Sequence, residues 1–558
     1  MKKKELAFIP LGGVEDINRN CYVVEYDKEI LVIDLGLTIP DDDQFGIDYL
    51  IPDVDYLRKR KDQIKGIVLT HAHLDHIGAI PYLIEELGFP TIYGREFTLM
   101  FLEEKLKEFG LDKRVKMVKV DHSKDIQIGN MKVRFVPITH SIPQSSSILV
   151  KTASGNIFHT GDYKFDDEPV NEPEPDYEQL KKIGDEGVDL ACFDSTNVYL
   201  SGKSKSETEI KNILEKIVKR ARGRVIASTF SSLGTRLYSL MEIAKKYKRK
   251  VVVTGYSMKT MVRLLRKIGY LNVDEKLFVS DKNISGVPDE NLLILTTGSQ
   301  GEERSALSRM AQGEHQTIKV KSTDTIILSS SVIPGNQIAV QRLIDDLLRL
   351  GAKVIHQSFM DVHTSGHCYQ DDMRTMYKLI RPRFALPVHG WPSFIHEMAY
   401  LLNKWGMKKN DIRLPETGQR FVYNTKTGRW NKDKKFPCKE IYVEGRSIGE
   451  SARVVIEERR RISDHGIVIV FVKLDKSNKI IGRPSIISRG FVYVKDNNKL
   501  FQEIERQVQD TYESWRRGST GRNKKEGVSQ LQDLINKTVS KMISKKIDRY
   551  PVVVTEID

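Results

Sequence analysis

Cysteine is scarce and scattered in this chain. The four present, Cys21, Cys192, Cys368 and Cys438, lie far apart and form no CxxC pair, so nothing in the spacing supports a disulfide framework or a thiolate zinc site. Long apolar runs are missing as well. No stretch of about 18 apolar residues occurs, which removes the usual signal for a membrane-spanning helix. The opening MKKKELAFIPLGG turns straight into a strand-like pattern, without the apolar segment and cleavage site of a secretory signal. A cytoplasmic location with no membrane partner is therefore expected. Low-complexity tracts are also absent, and the charged residues, 29% of the chain, are spread along it. Wholesale disorder does not fit that distribution.

What is present suffices for several cores. A chain of 558 residues, 40% of them hydrophobic, is too long for one ordinary core, and two to four domains is the natural expectation. The formal charge of +14, from 89 Lys and Arg against 75 Asp and Glu, favours polyanionic partners by raising their local concentration. The same excess suits a well-solvated lysine-rich surface, so charge alone selects no partner.

The pattern of elements changes along the chain. FIPLGG, NCYVVEYDKEILVIDLG and GIVLT read as short strands with Gly and Asn turns, and KMVKV, DIQIG, MKVRFVPITH, SSILVKT, NIFHTGD and VDLACFD continue in that style. From about residue 205, strands alternate with amphipathic helices: RVIASTF with TRLYSLMEIAKKY, VVVTGYS with MKTMVRLLRKIG, TIILSSSVIPGN with AVQRLIDDLLRLG. Such βαβ units imply a parallel sheet. The first style returns at RFALPVHG, which points to one domain inserted in another. Residues 425–460 are polar, basic and turn-rich, as expected of a connector. Beyond them, HGIVIVFVKLD, PSIISRGFVYVK, two helical stretches and PVVVTEI make a small α+β unit, with a basic loop, RRGSTGRNKK, between its helices.

Chemistry concentrates in IVLTHAHLDHIGAIPYL, residues 67–83. His71, His73, Asp75 and His76 fall within six residues of a strand-like run, and each needs a partner, because an unpaired buried polar group costs roughly 1 to 3 kcal/mol. His71 and His73 alternate in extended chain and face one way. His140, Asp162 and His389 each follow another strand-like run, so loops at one sheet edge can bring all seven together. Imidazole and carboxylate without thiolate suit Zn²⁺ or Mn²⁺, and a carboxylate can bridge two ions. In HTSGH, His363 and Ser365 precede His367 by four and two residues, so an extended segment turns all three toward one phosphate. The serine- and glycine-rich strand ends, with Ser228, Ser331 and Gly335, offer hydroxyls and backbone N–H groups to phosphates, although ordinary turns explain each one alone.

With HAHLDHIG, the motifs TGDYKFD, DSTN, TGSQGEERSALSRMA, SSSVIPGN, VHTSGHCYQ and PVHG together make the sequence resemble the metallo-β-lactamase superfamily, its β-CASP nucleases, and specifically the ribonuclease J family. The resemblance implies an α/β fold: an αββα metallo-β-lactamase sandwich over 1–204 and 363–424, an inserted parallel β-CASP domain over 205–362, a linker over 425–460 and a small α+β C-terminal domain over 461–558. It implies two divalent metal ions, Zn²⁺ or Mn²⁺, one held by His71, His73 and His140, the other by Asp75, His76 and His389, with Asp162 bridging. Asp75, His367 and Asp194 would serve the chemistry: His367 beside the scissile phosphate, Asp194 orienting a histidine. The implied activity is 5′-to-3′ exonuclease cleavage of single-stranded RNA, with endonuclease activity, in RNA decay and maturation. Implied partners are further copies of the chain, joined through the C-terminal domain as dimer or tetramer, and RNA-decay or ribosome-associated proteins.

Two stretches depart from the family pattern. Tyr256 stands where many members have arginine, and STFSSLGTR replaces an asparagine-histidine version, so selectivity for a 5′-monophosphate is the least supported implication. Other functions fit less well. A DNA nuclease of the same superfamily resembles a pattern with valine at position 389, a scaffold paralogue would not need seven intact ligand candidates, and a small-ester hydrolase would not need the inserted domain or HTSGH.

Overall fold

The computed structural model describes residues 4–40, 44, 46–122, 124–333, 335–449, 452–475, 477, 479–492, 497–518 and 524–558. The chain forms two compact units, one of residues 1–39 and 50–441, the other of 40–49 and 442–558.

The larger unit contains the sandwich and the inserted domain. One sheet has eight strands, ordered Arg429–Lys435, Gln419–Asn424, Leu6–Pro10, Tyr22–Tyr26, Glu29–Ile33, Ile64–Val68, Ile92–Gly94, Met117–Lys119. The other has six, ordered Phe384–Val388, Leu190–Asp194, Asn156–His159, Ser146–Lys151, Met131–Pro137, Ile126–Ile128. Period-two alternation explains how the second sheet serves two cores at once. Leu190 and Cys192, Phe384 and Leu386, and Ile148 and Val150 enter the core shared with the first sheet. Their neighbours Ala191, Phe193, Ala385 and Leu149 face the opposite way, under the helices Tyr177–Glu186, Gln370–Ile380 and Pro392–Lys404.

Between the strands Leu190–Asp194 and Phe384–Val388, which pair in parallel, the chain leaves the sandwich and returns. The excursion holds a five-stranded, all-parallel sheet ordered Lys250–Val253, Leu292–Thr296, Val225–Ser228, Thr325–Leu328, Lys353–His356. Its interior strands are apolar along their length, as a sheet buried on both faces requires. Sandwich, inserted parallel domain and C-terminal α+β unit are thus the architecture that the sequence led us to expect.

The connector does not behave as expected. Arg429–Lys435 is a strand, paired antiparallel with Gln419–Asn424 at the edge of the eight-stranded sheet. One residue accounts for it: Trp430 is fully buried in the sandwich core, whereas the rest of the strand is exposed and rich in lysine. An edge strand carrying lysines reads as a polar linker in sequence, yet blunts edge-to-edge association in the fold. Ile441–Glu444 and Ser447–Gly449 pair as a further hairpin, and a helix, Ala452–His465, runs through the proposed boundary at 460.

In the smaller unit, Ile467–Val472 is the central strand between Ser485–Arg489 and Val552–Ile557. Val468, Val470 and Val472 pack under the helices Asn498–Gly518 and Lys524–Ile547. The basic loop spans 516–525, and its residues 519–523 lie outside those described.

Candidate metal centre

Five sandwich strands end close together, and the segment after each supplies side chains to one spot. Ile64–Val68 leads to His71, His73 and the short helix Leu74–Ile77 with Asp75 and His76; Met131–Pro137 leads to His140, Asn156–His159 to Asp162, and Phe384–Val388 to His389, while Asp194 ends its own strand. Two groups of possible ligand atoms result, each within 4.8 Å throughout: His71, His73, His140 and Asp162, and Asp75, His76, Asp162 and His389. Asp162 belongs to both. All seven candidates from the sequence are therefore brought together, across 319 positions from His71 to His389 (389 − 71 + 1).

The spacings suit a cation. Four ligands about 2.0–2.1 Å from a tetrahedral ion stand roughly 3.3–3.4 Å from one another. His73 Nδ1 lies 2.9 Å from His71 Nε2 and 3.1 Å from His140 Nε2, and Asp162 Oδ2 lies 3.6 and 3.8 Å from those two Nε2 atoms. In the other group, Asp75 Oδ2 is 3.3 Å from His76 Nε2 and 3.4 Å from His389 Nε2, while Asp162 Oδ1 is 3.5 Å from His389 Nε2. Asp162 Oδ1 and His389 Nε2 are buried without a hydrogen-bond partner. A bound cation would satisfy both, so the residues fit the divalent ions that the donor set implies.

Two carboxylates set the orientation of the imidazoles by the same device. Asp34 Oδ2 lies 2.7 Å from His76 Nδ1 and accepts the Thr70 hydroxyl at 2.8 Å, while Thr70 Oγ1 in turn faces His71 Nδ1 at 3.0 Å. Asp194 repeats the pattern: Oδ2 lies 2.9 Å from His367 Nδ1, and Oδ1 accepts the Thr196 hydroxyl at 2.7 Å, whose oxygen faces His389 Nδ1 at 2.6 Å. In each case Nδ1–H donates outward, which turns Nε2 toward the centre. His140 donates from Nδ1 to the Gly366 carbonyl at 2.7 Å. A Cβ at position 366 would sit 2.7 Å from His140 Cε1, so only glycine permits that approach.

The electrostatics divide the cluster. Burial, with help from the neighbouring imidazoles, holds His71 and His140 well below the ordinary histidine range and brings His73 down to about 4. These rings are neutral, as ligands must be. His76 goes the other way: burial disfavours its charge, but the carboxylates of Asp162, Asp75 and Asp34 outweigh it and hold the ring well above its usual value. The field at that point favours a positive charge. Burial opposes ionisation of Asp162 too, and His389, His76, His367 and His71 together overcome it, so this carboxyl is held well below the usual range.

His367 stands at the rim, its Nε2 3.9 Å from Asp162 Oδ2. Burial alone would lower it, yet Asp194 and Asp162 raise it to about 9. Asp194, His367 and His389 form a third close group. The Ser365 hydroxyl is taken up locally, accepting from His367 N at 3.1 Å and from Asn197 Nδ2 at 2.9 Å. His363 does not join this group: it is buried near Arg236 and Lys164, which with burial hold it well below the usual range.

Other phosphate-contact candidates divide. Ser331 and Gly335 are exposed at the strand end, but Ser228 is fully buried with its hydroxyl unpartnered, so the structure does not present it to a ligand. Ser228 ends an interior strand of the parallel sheet, flanked on both sides. Arg236, in the departing 231–236 segment, is fully buried too, pairing with Glu207 at 3.0 Å and donating to the Val362 carbonyl at 2.9 Å. Tyr256 is 78% exposed at the start of its helix. Sequence reasoning missed Asp34, Thr70, Thr196 and Gly366. Only Asp34 left a signal, an acidic residue directly after the apolar strand EILVI.

Comparison with known proteins agrees with this geometry. Family models match as the metallo-beta-lactamase superfamily over residues 14–209, the ribonuclease J beta-CASP domain over 222–347 and the ribonuclease J C-terminal domain over 454–557. The chain is 35% identical to ribonuclease J of Mycoplasma genitalium over 99% of this chain and 97% of that one. It is 36% identical to ribonuclease J2 of Bacillus subtilis over 90% of each. A crystal structure of a protein of unknown function from Enterococcus faecalis V583 shares the fold, with a TM-score of 0.54 at 16% identity over 75% of this chain and 100% of that one. Similarity to the named relatives along nearly the whole length, and not in the motifs alone, places this chain in the ribonuclease J family.

Proposed function

We propose that this metal-dependent ribonuclease degrades single-stranded RNA from the 5′ end and also cuts internally, using one divalent ion held by His71, His73 and His140, a second held by Asp75, His76 and His389, and Asp162 between them. The ions are Zn²⁺ or Mn²⁺. The observation that carries this reading is Asp162, which belongs to both groups: Oδ2 lies 3.6 and 3.8 Å from His71 and His140 Nε2 and 3.2 Å from His76 Nε2, and Oδ1 lies 3.5 Å from His389 Nε2. Bound divalent ions lower the pKa of water toward neutrality and neutralise charge on phosphoryl oxygens. The side chains supply orientation and protons. Asp75 has the more open carboxylate, 24% exposed against 2% for Asp162, and is placed to accept a hydrogen bond from the attacking water. As the water oxygen bonds to phosphorus and the P–O3′ bond breaks, the leaving oxygen takes a proton. His367, charged and anchored by Asp194, is positioned to donate it.

Ser331 and Gly335 lie on the exposed strand end, where a passing RNA backbone can reach them. In the smaller unit, Ile487 and Phe471 lie exposed on the sheet face away from its helices, which supports assembly into dimers or tetramers through that face. Among the described residues no helix is long and apolar enough to cross a membrane, in keeping with work in the cytoplasm. The decisive experiment is a time course on 5′-labelled RNA carrying a monophosphate or a triphosphate. Early mononucleotide release from the monophosphate form indicates exonuclease action. Internal fragments alone from both forms would reject it.

A further inference from the structure

One buried amide touches the metal centre without belonging to either ligand group. Asn20 is fully buried, just ahead of the strand Tyr22–Tyr26, and each of its polar atoms is engaged. Its backbone N–H donates to the Asp75 carbonyl at 2.9 Å, and its own carbonyl accepts from Gly36 N at 2.9 Å. In the side chain, Nδ2 donates to the same Asp75 carbonyl at 3.2 Å, while Oδ1 accepts the Tyr22 hydroxyl at 2.7 Å. A carbonyl only accepts, so the orientation of the amide is fixed, with nitrogen toward Asp75 and oxygen toward Tyr22. The Tyr22 ring is held in turn within the sandwich core, 4.5 Å from the ring of His159.

Asn20 Nδ2 reaches further than the turn it caps. It lies 3.1 Å from His76 Nε2 and 3.5 Å from Asp75 Oδ2, two atoms that group around one metal position. Among the described residues, its hydrogen bonds reach none of His71, His73 and His140. Asp75 and His76 sit on a helix of four residues, Leu74–Ile77, too short to hold its shape unaided. Bonds from other segments hold it: Leu35 N donates to the His76 carbonyl at 2.7 Å, Leu37 N to the Leu74 carbonyl at 3.0 Å, and Asn20 twice to the Asp75 carbonyl. Of these donors, the Asn20 amide alone is a side chain and alone lies beside ligand atoms. An amide offers its N–H without a charge, so it steadies a carboxylate and an imidazole without repelling a cation.

We propose that Asn20, oriented by Tyr22, is the positioning residue of one half of the metal centre: it sets the affinity of the site formed by Asp75, His76 and His389 and leaves the site formed by His71, His73 and His140 as it is. The proposal rests on the two-ion reading and deepens it, because it makes the two sites separable. A chain without this amide holds one ion at metal concentrations that load both sites of the parent.

The test uses the full-length protein, Mn²⁺ alone as the probe, and the variants Asn20→Ala and Tyr22→Phe. Crystals soaked over a series of Mn²⁺ concentrations and read by anomalous scattering give the occupancy of each position separately, and calorimetric titration gives the affinities in solution. In the parent both positions fill. Asn20→Ala should need about tenfold to a hundredfold more Mn²⁺ to fill the position at Asp75, His76 and His389, the usual cost of losing a partner that orients a ligand, while the other position fills as in the parent. Tyr22→Phe removes one hydroxyl and keeps the buried ring. It should shift the same position in the same direction by less, and it carries the test if Asn20→Ala does not fold. RNA cleavage by the variants should fall at limiting Mn²⁺ and recover when Mn²⁺ is raised. A shift of both positions together, as a general loosening of the fold would give, a shift at the His71 position alone, no shift in either variant, or a loss of cleavage that excess Mn²⁺ does not repair would each overturn the proposal. A parent that fills only one position would overturn the two-ion reading and this proposal with it, so the two failures are told apart.

Discussion

Two of the buried polar clusters in the larger unit differ in whether the protein completes them. In one, Arg236 meets Glu207, the Ser329 hydroxyl and the Val362 carbonyl, while Lys164 meets Asp166 at 3.1 Å and the Lys205 carbonyl at 3.2 Å. Glu207 N in turn donates to Asp166 at 2.8 Å. These charges neutralise one another across the junction of sandwich and inserted domain. In the other, seven donors converge, and Asp162 Oδ1 and His389 Nε2 still lack a hydrogen-bond partner. The closed cluster holds segments in place. The open one has its lone pairs aimed at a common point and is finished only by a cation, which is why the same residue types serve structure in one place and chemistry in the other.

Breaking the open cluster should have the largest effect. Asp162→Ala should lower RNA cleavage by about a thousandfold or more and reduce bound metal, since one carboxylate serves both groups; cleavage near the parental rate with metal content intact would sink the shared-ligand assignment. Chelation of the parental enzyme should produce the same loss, restored by adding Mn²⁺ or Zn²⁺.

Breaking the closed cluster should act on stability instead. Arg236→Met leaves the buried Glu207 with only Lys164, at 4.0 Å, to balance it and should cost about 3 kcal/mol in denaturant unfolding of the larger unit. The double variant Arg236→Met with Glu207→Leu should recover much of that. Metal content of the folded fraction should stay parental in both, and a selective loss of metal would erase the distinction between the clusters.

His367→Ala probes the rim of the open cluster. It should lower turnover by about a hundredfold, at the lower end for loss of a general acid, with metal content near parental. Loss of metal would instead move His367 into the ligand set, an arrangement to which its grouping with Asp194 and His389 lends geometric sense.

The smallest effect is expected at the edge of the closed cluster. Ser206 caps the helix Glu207–Arg220, accepting from Glu209 N while the Glu209 carboxylate accepts from Ser206 N. Ser206→Ala should cost about 1 kcal/mol and leave cleavage unchanged. A cost as large as that of Arg236→Met would mean that the helix end, and not the ion pair, carries the junction.

The two clusters were not equally legible in sequence. The ligand candidates announced themselves because His71, His73, Asp75 and His76 crowd one turn, and His140, Asp162 and His389 each close a strand-like run; the first group follows a strand of the eight-stranded sheet and the others follow strands of the six-stranded one, so it is the stacking of the two sheets that makes these strand ends neighbours. Lys164, Glu207 and Arg236 gave no such sign, since a lone charged residue in an amphipathic context reads as solvated surface until the fold encloses it. Trp430 shows the same limit from the apolar side. Set among lysines in a turn-rich stretch, it looked like part of a connector, and only pairing with Gln419–Asn424 turned it into the core.

Sequence by itself determined the donor types, their place at strand ends and the alternation that lets one sheet serve two cores, because these follow from local periodicity and side-chain chemistry. Tertiary structure alone decided which nitrogen of His71, His76, His367 and His389 faces the centre, through Asp34 with Thr70 and Asp194 with Thr196, and which charges are sealed away. Those outcomes depend on distances between segments remote in the chain, and a hydrogen bond or an ion pair acts over a few ångströms, whatever the separation along the backbone.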